Sequence, residues 1–331
     1  MRTVYILLLA WVLCPTAWAQ EAYKNWAKQA QLLPAEYFLT EEARQVASNV
    51  LSFQLTTGGW PKNIDFFHEH CDRALSDNEG TIDNKATSTE IRFLMRLYQS
   101  TKDTTYLNSA LRGIQYLLRM QYPNGGWPQF WPRRDHYHAR ITFNDNAMVN
   151  AMRILREIYE HREPFLSDIP DSLCTQAEEA FNRGINCILR CQIRQQGQLT
   201  VWCQQHDEET LQPVGARAFE LPGLCQHESV EIILLLMSLD NPSPAVIEAV
   251  EGAVAWLQRS RIYEADGSYH WARFYNIDDN RPFFCGRDGI KRYRLEEIDE
   301  ERQRGYSWYG RQGDRVLSIY PAWHSLHSSL R

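Results

Sequence analysis

The chain has 331 residues, a formal net charge of −6 and many aromatic residues, among them 11 Trp and 16 Tyr. This length allows one large domain or two modest ones. The mildly negative charge argues against a bulk attraction to nucleic acid or another acidic polymer, so binding of an anion requires a local basic site.

The first residues have the features of a secretory signal peptide. Arg2 gives a positive start, residues 4–13 are nearly all apolar, and residues 17–19 (Ala-Trp-Ala) offer a cleavage site. The apolar run is too short to span a bilayer permanently, and no second apolar stretch supports the alternative of a retained anchor. We therefore predict a signal peptide at residues 1–19 and a mature chain from about Gln20. That chain would be secreted or periplasmic, without an integral membrane segment.

A repeated turn motif organises the rest of the chain. The pattern Gln-x-x-x-Gly-Gly-Trp-Pro occurs at residues 54–61 and again at residues 121–128. A weaker copy spans residues 192–197, with Trp202 downstream, and residues 265–267 form a fourth echo. The turns recur roughly every seventy residues, and a period of that size indicates a repeated supersecondary unit.

Amphipathic helices flank these turns. Apolar residues with helical spacing precede the four turns, at residues 46–53, 107–118, 181–188 and 246–257. A second set with the same spacing lies between the turns, at residues 91–98, 148–159 and 230–237. Alternating outer and inner helices predict an all-α fold. The fold expected is an α/α toroid, a partial (α/α)3-type barrel built from helical hairpin repeats.

Residues 260–310 differ in composition from the helical repeats. They are rich in Arg, Asp and Tyr and have little apolar periodicity. We expect long ordered loops here, covering one mouth of the toroid. No Pro-rich or Ser-rich linker interrupts the chain, so residues 20–331 are predicted to form a single catalytic domain.

A second repeat places acidic and amide side chains before two inner helices. Residues 81–86 (Thr-Ile-Asp-Asn-Lys-Ala) match residues 142–147 (Thr-Phe-Asn-Asp-Asn-Ala). Asp and Asn are common helix N-caps, which explains each segment taken alone. In a toroid, however, successive inner helices begin at the same mouth, so Asp83, Asn84 and Asp145 would converge there. Carboxylate and amide oxygens suit a hard cation such as calcium.

The third inner helix is preceded by an arginine. Where the first two repeats have Asp and Asn, the third has Arg217, flanked by small residues. An arginine is usually a surface charge, but one beside a carboxylate cluster suits a functional site equally well. Upstream, His206 and Asp207 form either an acid/base pair or a support for the loop that carries Arg217. We prefer the second interpretation.

Several arginines in the C-terminal region are interleaved with Tyr and Trp. Arg281, Arg287 and Arg304 belong to this set. Because arginine binds carboxylates through paired hydrogen bonds, the cluster suits a sugar that carries carboxylates. It also suits a nucleic acid strand, but the predicted signal peptide disfavours nucleic acid as a partner.

Several short motifs are specific when taken together. They are the turn motifs, with Lys62 and Asn63 after the first, and the two Asp/Asn segments. Three more are Trp-Cys-Gln-Gln-His-Asp at residues 202–207, Ala-Arg-Ala-Phe-Glu at 216–220 and Gly-Tyr-Ser-Trp-Tyr-Gly at 305–310. In this order, and over nearly the whole mature chain, they resemble the pectate lyases of polysaccharide lyase family 10. That family has an α/α toroid fold, which agrees with the repeats.

The resemblance implies cleavage of polygalacturonate, the de-esterified form of pectin, by a calcium-assisted β-elimination that leaves unsaturated oligogalacturonates. It implies Arg217 as the catalytic base and Asp83, Asn84 and Asp145 as the residues that hold Ca2+ and substrate. The substrate-binding positions it implies are Lys62, Asn84, Arg281, Arg287 and Arg304. We further expect a monomer.

One departure from the family pattern and three other functions need to be considered. Lys85 stands where the family has a small or polar residue, and its charge is expected to affect calcium affinity. A glycoside hydrolase on the same toroid would use Asp207 or Glu208 with Glu220, and would give no unsaturated product. A non-catalytic pectin-binding protein would leave the polymer intact. The polar mouth argues against a terpenoid-cyclase-like toroid.

Overall fold

The computed structural model describes residues 25–327. The predicted signal peptide and its cleavage site lie outside these residues. Within them, no helix is long and apolar enough to cross a membrane. The seven cysteines from Cys71 to Cys285 are free, and all of them except Cys71 are buried.

The helices form an outer and an inner layer, which confirms the predicted α/α toroid. The outer helices are α2 (Glu41–Ser52), α4 (Thr104–Met120), α6 (Asp171–Cys191) and α8 (Pro244–Arg259), and the inner helices are α3 (Ser88–Thr101), α5 (Ala147–Tyr159) and α7 (Gln226–Met237). Each inner helix packs against the outer helix that follows it; neighbouring inner helices also touch, as do α4 with α6 and α6 with α8. Residues 25–32 form a helix, α1, and the described residues end with α9 (Glu300–Arg304) and α10 (Asp314–His327).

Side-chain caps fix where three outer helices begin. Thr40 accepts a hydrogen bond from the backbone at the start of α2, and Asp103 does the same for α4. Ser243 caps α8, with Pro244 at the first helical position. These residue types satisfy backbone N–H groups that have no partner inside the helix, and proline there loses no hydrogen bond.

Each glycine turn is tied to the helices by a tryptophan and, in the first three turns, by a glutamine. The tryptophan indole N–H donates to a backbone carbonyl of α2, α4, α6 or α8, in the order Trp60, Trp127, Trp202, Trp271. The glutamine amide donates both to its own turn and to the next outer helix, in Gln54, Gln121 and Gln192. The sequence repeat is therefore a repeated set of hydrogen bonds between hairpins.

Glycine is required at the tightest point of the first two turns. Gly58 and Gly125 have φ values of +97° and +95°. A Cβ atom at these positions would lie 2.4 Å and 2.1 Å from the carbonyl oxygens of Arg112 and Arg183. Any other residue would strain the turn and collide with the next outer helix.

Short antiparallel strands lead into two inner helices and fill the C-terminal region, where the sequence predicted loops. They are β1 (Ile141–Thr142), β2 (Arg194–Gln195), β3 (Gln198–Leu199), β4 (Gln205–His206), β5 (Pro213–Val214), β6 (Leu224–Cys225), β7 (Ile262–Tyr263), β8 (Tyr269–Ala272), β9 (Phe274–Tyr275), β10 (Pro282–Cys285), β11 (Lys291–Arg292) and β12 (Tyr309–Gly310). The sheets have the orders β1-β4-β5, β11-β10-β9-β6, β12-β8-β7 and β2-β3. A separate apolar cluster, which includes Phe274, Phe283 and Trp308, stabilises the C-terminal strands.

Candidate active site

A polar cavity of about 170 Å³ lies where the inner helices α3 and α5 begin. Its lining contains five residues that the sequence predicted: Lys62, Asp83, Asn84, Asp145 and Arg217. The other lining residues are Asn63, Gln129, Tyr137, Asn144, Gln205 and Glu220. The two Asp/Asn segments and the arginine loop therefore meet at one place, although they are far apart in the sequence.

The two Asp/Asn segments have the same backbone shape. Asp83–Lys85 and Asn144–Asn146 each form a 3₁₀ turn with a left-handed middle residue, at Asn84 (φ 51°, ψ 30°) and Asp145 (φ 49°, ψ 26°). Asn and Asp tolerate this conformation better than other residues with a side chain. Asp83 is thus equivalent to Asn144, and Asn84 to Asp145. Each segment supplies one carboxylate and one amide, in opposite order.

Asp83 is buried and held by its neighbours. Its backbone N–H donates to Thr81 Oγ1 at 3.0 Å, and its Oδ1 accepts from the backbone N–H of Asn84 at 2.9 Å. The other carboxylate oxygen forms a short ion pair with the Lys62 ammonium, which lies 5.2 Å from the ring centroid of Phe130. Lys62 is therefore the internal counter-ion of Asp83.

Asp145 opens onto the cavity, although protein surrounds it on most sides. Asn144 Nδ2 donates to its Oδ2 at 2.8 Å. Burial raises the pKa of Asp145 to about 6, the negative charges of Asp83 and Glu228 add to the increase, and two nearby arginines oppose it. A cation close to both aspartates would relieve this repulsion and favour the ionised form.

Arg217 is held by the buried carboxylate of Glu220. Arg217 Nε donates to Glu220 Oε2 at 2.8 Å, and a second, shorter bond joins the guanidinium to Oε1. Tyr306 donates to the same Oε1 at 3.0 Å. Burial by itself lowers the pKa of Arg217, but the hydrogen bonds and charge of Glu220 outweigh burial and raise that pKa above its usual range. In this arrangement Arg217 is a fixed cation.

The structure corrects the predicted place of Arg217 in the third repeat. Arg217 lies in the loop between β5 and β6, well before α7 begins at Gln226, and not at the start of an inner helix. Backbone hydrogen bonds from Ala216 to Glu220 (3.0 Å) and from Glu220 to Arg217 (2.8 Å) close this loop. Arg217 lines the shared cavity because of the conformation of this loop, and not because it occupies a position of the repeat.

Hydrogen bonds identify the true equivalent in the third repeat. The backbone N–H of Trp60 donates to Thr87 Oγ1, and the backbone N–H of Trp202 donates to Ser229 Oγ in the same way. Thr87 and Ser229 therefore correspond. Counting back two residues from each, the position of Lys85 in the first repeat is taken in the third by the residue at 227, a histidine.

The three C-terminal arginines predicted to bind substrate lie outside the lining of this cavity. Arg281 stacks over a tyrosine ring at 3.9 Å, and Arg304 is mostly exposed with an acidic neighbour at 3.6 Å. Arg287 pairs with Glu301 at 3.1 Å. It also lies 5.9 Å from the ring centroid of Phe219, a ring that Arg217 approaches to 4.8 Å, so Arg287 is adjacent to the arginine loop.

A buried ion pair beside the cavity was not predicted. Arg273 and Glu228 are both buried and form a short salt bridge. The Arg273 guanidinium lies 4.5 Å from the ring centroid of Tyr306. The charges of this pair act on Asp145 with opposite signs. Tyr306 belongs to the motif at residues 305–310, but nothing close in sequence marks Arg273, whose partner is 45 residues away.

The polar run that contains His206 supports the turn between β4 and β5. The His206 ring is buried, accepts from the Cys203 N–H at 3.2 Å and contacts the Leu211 carbonyl at 2.9 Å. Burial lowers the pKa of His206 to about 4, so the ring is neutral at neutral pH. Asp207 and Glu208 both pair with Arg140. A hydrolase that used Asp207 or Glu208 would need that acid in the lining of the cavity, and neither of them is there.

The donor atoms of the cavity fit a calcium ion. Asp83 and Asp145 offer carboxylate oxygens, and Asn63, Asn84 and Asn144 carry amide oxygens, the hard ligands that calcium prefers. Among residues 25–327, no group of three or more His, Cys, Asp or Glu side chains could hold a metal. Amide, water or substrate oxygens would therefore have to complete the coordination of a cation here.

The helical toroid matches the fold of solved polysaccharide lyases. A family 10 polysaccharide lyase from Cellvibrio cellulosa superposes with a TM-score of 0.80 at 34% identity, covering 92% of this chain and 96% of the relative. A mutant of the Cellvibrio family 10 lyase, solved in complex with trigalacturonic acid, matches with the same TM-score and identity, covering 92% of this chain and 97% of the mutant's. No curated protein matches the sequence.

The sequence profile of pectic acid lyases matches residues 54–317. The chain belongs to the pectic acid lyase family. This confirms the family, the fold and the pectate lyase activity that the motifs predicted.

Proposed function

We propose that this pectate lyase cleaves polygalacturonate by calcium-assisted β-elimination in the cavity shared by Asp83, Asp145 and Arg217. The observation that carries the proposal is the convergence of two carboxylates, amide oxygens and an arginine in one polar cavity. The trigalacturonic acid bound by the Cellvibrio relative supports the substrate class.

We assign calcium to Asp83, Asn84 and Asp145, whose oxygens face one cavity. When bound, calcium would offset the negative charge that develops on the uronate carboxylate as the neighbouring C5 loses its proton. Lys62 now neutralises Asp83. A second cation at Asp83 would weaken that pair, which leaves the Lys62 ammonium available to a substrate carboxylate.

The other substrate contacts are assigned to amide and guanidinium groups. Asn84 lies in the cavity and can donate to or accept from a sugar. Arg287, Arg281 and Arg304 would bind carboxylates of the polymer farther along the chain. Arg287 is the best supported of these three because it is adjacent to the arginine loop through Phe219.

Arg217 is proposed to take the C5 proton. As that C–H bond breaks, a C4–C5 double bond forms, the C4–O bond breaks, and the leaving oxygen is protonated by solvent. A base must be neutral, yet Glu220 holds Arg217 in its charged form. The role therefore requires that nearby cations, and a substrate that displaces water, lower the pKa of Arg217 against the effect of Glu220.

The activity is tested by absorbance at the unsaturated-uronate band during incubation with polygalacturonate. We expect the signal to rise with calcium, to vanish with a chelator and to return when calcium is added back. Arg217→Ala should keep the fold and lose most of the activity. Activity in excess chelator would contradict the calcium assignment, and a normal rate in Arg217→Ala would contradict the assignment of the base.

We also propose that the protein acts as a secreted or periplasmic monomer. The motif at residues 1–19 supports export. Among residues 25–327 no helix could span a membrane. N-terminal sequencing of the exported protein and its elution volume on a calibrated column test the two parts of this proposal.

A further inference from the structure

A second cavity adjoins the first. It has a volume of about 220 Å³ and shares Asn84 and Asp145 with the cavity described above. Its other lining residues are Ala27, Lys28, Lys85, Asn146 and His227. A polymer seated at Asn84 and Asp145 is therefore next to this second space.

The repeat explains why three polar side chains meet there. Lys85 and Asn146 are equivalent, because each follows the left-handed residue of its 3₁₀ turn. His227 takes the same position in the third repeat, as the hydrogen bonds of Thr87 and Ser229 establish. Each repeat thus contributes the residue that follows the position of Asn84 and Asp145, and in two of the three that residue contains a basic nitrogen.

Lys85 lies in an excess of positive charge. Arg92, Arg153 and Glu231 carry the charges that act on its ammonium. All three are already paired with another charged side chain. Arg92 binds Glu157 at 2.8 Å, and Glu231 is shared by two arginines, at residues 153 and 315. Four cations here share two carboxylates, and the cavity residues Lys28 and Asp145 add one charge of each sign. Positive charge remains in excess, so an added anion would be stabilised.

Among residues 25–327, neither of the two basic side chains has a hydrogen-bond or ion-pair partner. Lys85 is half-buried, and among residues 25–327 no hydrogen bond or ion pair joins its ammonium to another group. His227 is also half-buried, and its ring has no hydrogen bond within the same residues. Lys85 has a φ of 66°, a conformation that disfavours lysine. Lys85 therefore combines a strained backbone with an ammonium group that has no partner among the described residues, and it lies beside the reaction cavity.

We propose that Lys85 and His227 form a further sugar subsite that binds the carboxylate of a galacturonate flanking the reacting unit. The proposal rests on the proposed function, because it takes polygalacturonate as the polymer in the first cavity. Lys85 would bind the carboxylate, and His227 would hydrogen bond to the sugar. The subsite favours chains long enough to fill both cavities.

The test is the dependence of KM on oligogalacturonate length in Lys85→Gln. We expect KM to rise about 10-fold for oligomers long enough to reach the second cavity, which is the low end for loss of a charge-assisted hydrogen bond. For the shortest oligomer that is cleaved, the rise should be much smaller. Lys85→Arg keeps the charge and should restore most of the affinity.

Lys102→Gln is the matched control. Lys102 also has a positive φ, 59°, but it is exposed and lies near Asp168 on the surface. The Lys102→Gln variant should have the wild-type KM for oligogalacturonates of every length. Equal KM values in Lys85→Gln and wild type, or the same change at all lengths, would overturn the subsite. If Lys85→Gln melts below the assay temperature, His227→Gln carries the same comparison.

Binding separates this proposal from the proposed function. Calorimetry with saturated oligogalacturonates on Arg217→Ala and on Arg217→Ala/Lys85→Gln measures the subsite without elimination. Tighter binding of long oligomers that depends on Lys85 supports the subsite, and equal affinities of the two proteins overturn it. Failure of the wild type to form an unsaturated product would refute the elimination, whatever the calorimetry shows.

Discussion

The pair formed by Arg217 and Glu220 makes the identity of the base testable. If neutral Arg217 takes the C5 proton, kcat/KM should rise with pH until Arg217 has lost its own proton. Glu220→Gln removes the charge that holds the guanidinium protonated. The rising limb of the pH profile should then move to lower pH.

The size of the shift follows from the geometry. Two unit charges about 4 Å apart interact by about 4 kcal/mol at an effective dielectric constant of 20. The Arg217 side chain is 46% exposed, so solvent reduces this interaction to about half, or about 2 kcal/mol. That value corresponds to a shift of about 1.5 pH units. The maximal rate should also fall, because glutamine cannot hold the guanidinium through two charged bonds.

The assay is the initial rate of unsaturated-product formation across the pH range at saturating calcium. Glu79→Gln is the control, because Glu79 also binds an arginine, Arg73, through two bonds but does not line the cavity. Its profile should match the wild type. A Glu220→Gln enzyme that is slower but has an unshifted profile would refute the base role and leave Arg217 as a cation that binds substrate.

The sequence was sufficient for the helical fold because the fold repeats. Helical spacing marked all the helices of the toroid, and the turn motifs marked the hydrogen bonds made by Trp60 and Gln54 and their equivalents. The strands were missed because most contain two residues, too few for an alternating pattern to appear. They are set by pairing between distant segments, as when β6 joins β9.

The site was predictable where it follows the repeat and not where it depends on loops. Asp83 and Asp145 meet because two equivalent turns precede neighbouring inner helices. Arg217 lines the same cavity, but for a different structural reason from the one predicted, since its loop does not follow the repeat. The pairing of Arg273 with Glu228 crosses 45 residues, and local sequence holds no signal for it.

Three further predictions concern calcium, the turns and the core. Asp83→Asn removes one of two carboxylates and should raise the calcium concentration for half-maximal activity at least about 10-fold, measured by titration; an unchanged value would exclude Asp83 as a ligand. Gly58→Ala should lower the free energy of unfolding by about 3 kcal/mol, whereas Gly197→Ala, which also has positive φ but open space around it, should cost about 1 kcal/mol; equal losses in urea unfolding would show that the collision is unimportant. Glu90 is buried, accepts from the Trp26 indole at 2.9 Å and has a second oxygen without a partner among the described residues. Burial raises its pKa to about 7 from an ordinary 4.5. The folded state therefore holds this proton more tightly than the unfolded state. The contribution of Glu90 to stability is fully present below about pH 4.5 and falls by about 3 kcal/mol as pH rises to about 7. Glu90→Gln stays neutral and keeps an acceptor for Trp26, so this part of the decline should disappear and the variant should be more stable than wild type at pH 8. If unfolding at pH 4.5 and pH 8 shows the same loss in both proteins, Glu90 does not carry the effect.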